Sequence, residues 1–259
     1  MSKYAVVTGA STGLGRCIAL ELAEKGINTI LTALPGENLA EVCEACRKAG
    51  TSSEYFEFDM TDKTALVSFA ETVNSRYDIF VLVNNAGTGG SKRFGEVPLK
   101  YVDTIVQLNV AATVILTHEL LPNLRRNTQA FILNISSMAG IIPTGYKTVY
   151  PASKAFIKNF SLGLREELKQ DGISVSFAVL GPMPTKPEII SRINRQGLIG
   201  RSLSVPPEKV ARICVAKMFR KSRVIVPGKL NSLSFHLVKV VPEYLRGKMM
   251  SRSVRKHEL

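Results

Sequence analysis

Short apolar runs alternate along the chain with stretches in which hydrophobic residues recur every three or four positions. Residues 4–8 form such a run and end at Gly9. From 13 to 25, Leu14, Ile18 and Leu22 share one helical face, and Gly26 is placed to cap it. The alternation continues with a strand at 28–32 and a helix over 37–49 that stops at Gly50. A strand at 54–58, a helix over 62–76 and a strand at 79–83 follow. A long helical stretch around 98–126 precedes a strand at 130–135, and a helical pattern over 147–170 stops near Gly172. The run 173–180 reads as nearly uninterrupted strand, 206–221 as a helix led by two prolines, and 223–226 as a last short strand. Strands that are apolar on both faces and alternate with helices predict an α/β fold, a doubly wound parallel sheet covered on both sides. No internal repeat or low-complexity segment interrupts it, so residues 1–259 read as one domain. Sheets of this kind bind ligands at the carboxyl ends of their strands, in the loops after Thr8, Thr32, Phe58, Val83, Ile135 and Leu180.

Composition adds bounds. The hydrophobic share of 45% and charged share of 21% are those of an ordinary globular chain. No apolar run reaches the ~18 residues of a membrane-spanning helix. The first residues enter a strand directly, which leaves no room for a secretory signal. Four scattered cysteines do not suggest a disulfide framework, so a reducing, cytoplasmic setting is expected. Charge is distributed unevenly. Residues 1–181 hold 17 basic and 17 acidic side chains, whereas residues 182–259 hold 17 basic and four acidic ones, so the whole excess of +13 lies in the last third. That asymmetry suggests an anionic partner, such as a membrane surface, a phosphorylated carrier or nucleic acid, or else a solvated basic face. Beyond Leu230, Phe235, Leu237, Val240, Tyr244 and Leu245 alternate with Lys239, Arg246 and Lys248. This basic amphipathic extension, residues 229–259, is suited either to peripheral contact with an anionic membrane or to covering a neighbouring subunit.

Two stretches carry chemistry. The loop after the first run reads Thr8-Gly9-Ala10-Ser11-Thr12-Gly13-Leu14-Gly15. Glycines there let the backbone turn tightly beside a pyrophosphate, while the helix that follows directs N–H groups and its positive end at that anion. The second stretch is Tyr150-Pro151-Ala152-Ser153-Lys154. A tyrosine and a lysine four residues apart on a helix face the same way. A nearby ammonium brings a phenol, which otherwise titrates near pH ~10, toward the working range of an acid/base group.

The Gly-x3-Gly-x-Gly spacing, with Tyr150 and Lys154, resembles the short-chain dehydrogenase/reductase family. Other markers follow in order: Asn84-Asn85-Ala86-Gly87 after the fourth strand, Asn109 in the long helix, and Ser136-Ser137 with Ser137 thirteen residues before Tyr150. The resemblance covers about residues 3–185. It implies a Rossmann-type fold in which Tyr150 exchanges a proton with the substrate oxygen as a hydride moves between nicotinamide and carbinol carbon. Lys154 would tune Tyr150 and bind the ribose, Ser137 would orient the carbonyl, and Asn109 would hold a relay water. It also implies cofactor contacts from Gly9, Ser11, Thr12, Gly13, Leu14 and Gly15 in the first loop. Asp59 and Met60 would meet the adenine, Asn85, Ala86 and Gly87 would follow the fourth strand, and Gly181 and Thr185 the sixth.

The chain departs from the family pattern in places. Pro151 suits a helix start, so the helix is expected to begin there with Tyr150 in extended backbone. Leu180 stands where the family has proline, Gly181 and Thr185 fit, and Pro182 and Pro184 stiffen the loop. The loop Thr32-Ala33-Leu34-Pro35 offers neither an acid for the 2′-hydroxyl of NAD nor a base for the phosphate of NADP. The missing acid favours NADP(H) over NAD(H), with Arg16 beside the small Ser11 and Thr12 to accommodate the phosphate.

Residues 186–205 lie where the family has its substrate lid and contain Ile189, Ile190, Ile193, Leu198, Ile199 and Leu203. They suggest a lipophilic carbonyl/alcohol substrate, unless they simply pack the lid. The stretch from Val226 to Asn231 resembles a branch that includes 3-oxoacyl reductases and hydroxysteroid dehydrogenases. The family implies a homodimer or homotetramer, and no nucleic-acid partner is expected. Lys256-His257-Glu258-Leu259 looks like an endoplasmic-reticulum retrieval signal, which is read only in the lumen, and is taken as coincidence. The isolated histidines suggest no metal, and Cys43-x-x-Cys46 within a helix suggests no redox role. The alternative to an enzyme is a non-catalytic nucleotide-binding sensor or scaffold that uses its basic tail on a membrane or nucleic acid. Loss of a catalytic residue would favour it, and none is lost.

Overall fold

The computed structural model describes residues 2–185 and 187–258, without the side chains at positions 188, 192, 199, 239 and 257. Seven strands form one sheet: β1 (Lys3–Thr8), β2 (Asn28–Ala33), β3 (Ser53–Glu57), β4 (Asp78–Asn84), β5 (Ala130–Ser137), β6 (Ile173–Leu180) and β7 (Val224–Ile225). Their order is β3-β2-β1-β4-β5-β6-β7, with every pairing parallel. The sheet therefore reverses direction of growth between β1 and β4, which places a crevice between the loops that follow them.

Successive strand residues explain the unbroken apolar runs. Val7, Val83 and Leu133 face α1 (Gly13–Glu24), α2 (Leu39–Lys48) and α9 (Pro207–Phe219). Their neighbours Val6, Leu82 and Ile132 face α3 (Lys63–Arg76) and α5 (Ala112–Arg125) on the other side. The edge strand β3 departs from the pattern: beyond Ser53 its residues alternate between half-buried and exposed. Helix ends follow local chemistry. Gly26, at φ 74°, lets the chain turn back so that its N–H reaches Ala23 O and that of Ile27 reaches Leu22 O. Asp62 caps α3 by accepting from the N–H groups of Thr64 and Ala65 at 2.9 and 3.2 Å.

The long middle helix is continuous but not uniform. It runs as α4 (Leu99–Val106), a π-helical turn over Gln107–Ala111, and α5. By length and composition the stretch Leu99–Arg125 could cross a membrane, an 18-residue window within it having a mean hydropathy of 1.4, which revises the expectation that no segment reaches that length. Its inner residues Leu116, Leu120 and Leu124 are instead wholly buried against Ile79, Leu82 and their neighbours on the sheet.

After β5 the chain enters α6 (Val149–Glu167), and this corrects one expectation. The helix starts two residues before Pro151, so Tyr150 is helical rather than extended. Pro151 lies in the first turn, where its missing N–H costs the helix no bond, and the steric preference it imposes on its predecessor is overridden, with the Tyr150 N–H bonded to Lys147 O at 3.0 Å. After β6 come α7 (Pro187–Arg195) and α8 (Gly197–Leu203), and after β7 come α10 (Lys229–Val240) and α11 (Glu243–His257). Lys186, at the start of the expected lid, and Leu259 lie outside the described residues.

Candidate active site

Three loops meet at the crevice, and glycine makes their approach feasible. Gly9 and Gly13 adopt φ values of 63° and 55°, in the region that side chains disfavour. A Cβ on Gly15 would stand 2.0 Å from Gly9 O and 2.5 Å from Asn85 Nδ2, so no larger residue fits. Asn85 fastens the first loop to the fourth: its Nδ2 donates to Thr8 O and Gly9 O at 2.9 and 3.1 Å. Thr8 Oγ1 in turn accepts from the N–H groups of Asn85 and Ala86, each at 3.0 Å. Thr185 comes back from the sixth loop, with Cγ2 3.4 Å from where a Cβ of Gly13 would be. Gly181 packs on the side chain of Asn231, 2.6 Å from its Oδ1 by the same measure.

The residues fit a dinucleotide. Thr12 stands at the N-cap of α1 but makes no side-chain cap, and no acid lies in the first turn, so the helix presents its free N–H groups to the loop. Leu14 is buried in the core, which leaves its backbone for the ligand side. Asp59 and Met60 follow β3, but Asp59 Oδ1 already accepts from the N–H and hydroxyl of Thr61, both at 2.8 Å. Met60 is buried, with its sulfur 3.8 Å from Thr32 Oγ1. One acid was not anticipated: Ser11 Oγ donates to Glu37 Oε2 at 2.6 Å. Glu37 lies two residues beyond the loop segment expected to read the ribose, and the turn at Gly36 (φ 78°) and Asn38 (φ 55°) brings it back.

On the other side of the crevice, Tyr150 and Lys154 share a face of α6. The ammonium lies 6.0 Å from the Tyr150 ring centroid and donates to Ile135 O at 2.9 Å. Lys154 is 5% exposed, and burial brings its pKa down to about 8. Glycines crowd it: a Cβ on Gly87 would stand 3.2 Å from Nζ, and one on Gly140 would stand 2.7 Å from the Lys154 carbonyl carbon. Gly89 abuts the Tyr150 ring, 2.3 Å from Cδ2 by the same measure. Ser137 ends β5, and its Oγ accepts from the Ala139 N–H at 3.1 Å and lies 3.5 Å from Leu180 O. Asn109, within the π turn, is almost wholly buried. Its Oδ1 accepts from the Thr88 N–H at 2.8 Å, and its Nδ2 donates to Thr88 O at 2.9 Å and Ser153 Oγ at 3.0 Å. Ser153 Oγ donates to Tyr150 O at 2.8 Å. The Asn109 side chain is thus committed to protein groups, and any part in a relay falls to its main-chain carbonyl.

The crevice therefore joins Tyr150, Lys154, Asn109 and Ser137 on one wall to the glycine loop on the other. Sequence reasoning missed Thr8, Ser153, Gly89, Gly140 and Glu37. The Gly89-Gly90 pair was the one local signal, since paired glycines often mark a close approach.

The family profile described as short chain dehydrogenase matches residues 3–195. A very-long-chain 3-oxoacyl-CoA reductase of Laccaria bicolor is 37% identical over 177 residues, 66% of this chain and 52% of that protein. The protein of the same name from Anas platyrhynchos is 34% identical over 197 residues, 74% of this chain and 63% of that one. The matched region thus spans half to two thirds of the length of these relatives. Among solved structures, a metagenomic short-chain oxidoreductase in complex with NADP is 27% identical, with a TM-score of 0.72 over 88% of this chain and 98% of that one.

The buried lysine has a measurable consequence. An unfolded lysine titrates near 10.5, so between pH about 8 and 10.5 the unfolded chain binds more protons, and stability should rise with pH across that window. Urea titrations of the wild type and of Lys154→Met should differ in that rise by about 3 kcal/mol. Parallel curves for the two proteins would show that Lys154 is not held in a desolvated site.

Proposed function

The chain belongs to the short chain dehydrogenase family, and on that premise we propose that it interconverts a lipophilic ketone and its secondary alcohol, with NADP(H) as the preferred cofactor. The observation that carries this reading is the pairing of Tyr150 with a buried Lys154 across a crevice from an uncapped helix N-terminus. A bound nicotinamide supplies the hydride in reduction and accepts it in oxidation. In the reductive direction Tyr150 gives its phenolic proton to the carbonyl oxygen, and the Lys154 ammonium stabilises the negative charge left on the phenolic oxygen. Ser137 Oγ orients the substrate oxygen by donating to it, exchanging its long contact with Leu180 O for that bond. Lys154 also holds the ribose hydroxyls, and a water on the Asn109 carbonyl returns the proton from solvent. Gly9, Ser11, Thr12, Gly13, Leu14, Gly15, Asp59, Met60, Asn85, Ala86, Gly87, Gly181 and Thr185 supply the rest of the cofactor's cradle.

The relatives named as very-long-chain 3-oxoacyl-CoA reductases support a 3-oxoacyl thioester as the substrate class. We read residues 1–259 as one oxidoreductase domain, with 186–205 as its lid. Ile193 is buried, whereas Ile190 and Leu198 are exposed. Tyr150→Phe should keep NADPH affinity within about twofold while lowering kcat at least ~10³-fold. Turnover at wild-type rates would refute the acid/base assignment.

The NADP(H) preference rests on Arg16 and the small Ser11 and Thr12, and on the absence of an acid in Thr32-Ala33-Leu34-Pro35. Glu37 acts against it from the position it now holds on Ser11, and being exposed it can turn outward to admit a phosphate. Glu37→Gln should lower the KM for NADPH by about tenfold and leave that for NADH nearly unchanged. An unaltered NADPH KM would remove Glu37 from cofactor choice.

The partner we propose for the basic extension is an anionic membrane surface. Leu230, Leu233, Leu237, Val240, Tyr244 and Leu245 are exposed on α10 and α11, within the third of the chain that carries the whole charge excess. A cytoplasmic enzyme peripheral to such a surface would meet lipophilic substrates there. Apposing two such faces in a homodimer would bring like charges together, so assembly as a dimer or tetramer would use other faces. Flotation with vesicles containing acidic lipid should recover the protein at low salt and lose it at high salt. No binding at low salt would end the membrane reading.

A further inference from the structure

Residues 138–149 connect Ser137 to Tyr150, and α11 holds the part over 141–147. Arg246 Nη1 donates to Ile141 O at 3.2 Å, and the Gly145 N–H donates to Ser251 Oγ at 2.8 Å. A Cβ on Gly247 would stand 3.2 Å from Pro143 O, so the helix and the segment are in close contact. Just beyond the end of α11, Glu258 Oε2 meets Lys147 Nζ at 2.6 Å, with the two side chains only 8% and 14% exposed. The same oxygen accepts a hydrogen bond from Ser91 Oγ.

Lys147 lies in the segment that leads into Tyr150, and Ser91 in the loop that carries Gly89 against the Tyr150 ring. Lys147 O accepts the Tyr150 N–H at 3.0 Å. Ser91 lies two residues after Gly89, the glycine that abuts the ring. The loops touch once more where the Lys92 N–H donates to Tyr146 O at 2.7 Å. Tyr146 itself holds a φ of 65°, a costly conformation for a residue with a side chain, so its neighbours must over-determine it. A buried ion pair adds little net stability, because desolvating both charges offsets their attraction. Its value here is in fixing geometry.

We propose that Glu258 is a positioning residue for the reaction: by locking Lys147 to Ser91 it sets where the phenol of Tyr150 stands. This rests on the acid/base role given to Tyr150. The test uses Glu258→Gln and Glu258→Asp in the full chain, with Asn123→Ala as a control. Asn123 is buried near the opposite end of the sheet, where it bonds Ile79 and Tyr77, and its loss destabilises the fold without touching the crevice. For each protein one measures kcat and KM with a 3-oxoacyl thioester, NADPH affinity by fluorescence, and Tm. Glu258→Gln should lower kcat about tenfold with NADPH affinity within about twofold, and Glu258→Asp should recover part of the loss. Asn123→Ala should lose at least as much in Tm while keeping its kcat. A Glu258→Gln kcat within about twofold of wild type, or a loss that Asn123→Ala matches at equal Tm, would overturn the proposal. If Tyr150→Phe abolishes turnover and Glu258→Gln is silent, positioning alone fails; if neither lowers kcat, the acid/base role fails with it.

Discussion

Burying the Lys154 ammonium imposes more on the surrounding chain than any other contact in the structure. A cation taken out of water needs hydrogen-bond acceptors and room, and both come from backbone rather than from a carboxylate. The Ile135 carbonyl accepts from the amine, and Ser136 Oγ donates to the Lys154 carbonyl, so the helix is stitched to the end of β5. Gly87 and Gly140 keep the space that side chains would fill. The π turn at Asn109 feeds the same region, because its side chain joins Thr88 to Ser153 and, through Ser153, to the carbonyl of Tyr150. A lysine kept there with no carboxylate bonded to it among the described residues is costly as structure and useful as chemistry. Its charge is poorly screened, and it stands beside the phenol of Tyr150, to which we give the proton transfer.

The opposite wall follows from a different constraint, the reversal of strand order between β1 and β4. The connections that follow β1 and β4 leave for opposite faces of the sheet and open a crevice, while the strand ends themselves lie side by side and need glycine and a polar fastening. Gly15 provides the first and the Thr8–Asn85 pair the second. The cofactor wall and the proton-transfer wall thus rest on separate contacts and are joined by the short stretch Asn85-Ala86-Gly87.

Much of this was legible in the sequence. Apolar runs on both faces located the strands within a residue or two, because each strand residue packs against one helical layer or the other. The placement of Tyr150, Lys154 and the glycine loop at the crevice follows from local spacing, which the fold preserves. What escaped depends on contacts between distant parts of the chain. Glu37 belongs to the cofactor loop only because two left-handed residues turn it toward Ser11. The start of α6 escaped because the helix overrides the steric preference of the residue before Pro151, which local sequence does not reveal. The π turn at Asn109 has no periodic signature in a helix this apolar. The return of α11 to residues 141–147 and to Ser91 spans more than a hundred positions of sequence, and the amphipathic pattern of the extension indicated a face without indicating its partner.

In the proposed reaction a hydride and a proton meet at one substrate carbon–oxygen bond beside Tyr150. The most direct measurement supplies NADPH deuterated at C4 together with a 3-oxoacyl thioester and follows the label by mass spectrometry. Deuterium from one face of the nicotinamide should appear at C3 of the 3-hydroxy product, once per turnover. Tight NADPH binding with no label transferred to any ketone or thioester offered would contradict an oxidoreductase and would leave a nucleotide-binding sensor in its place.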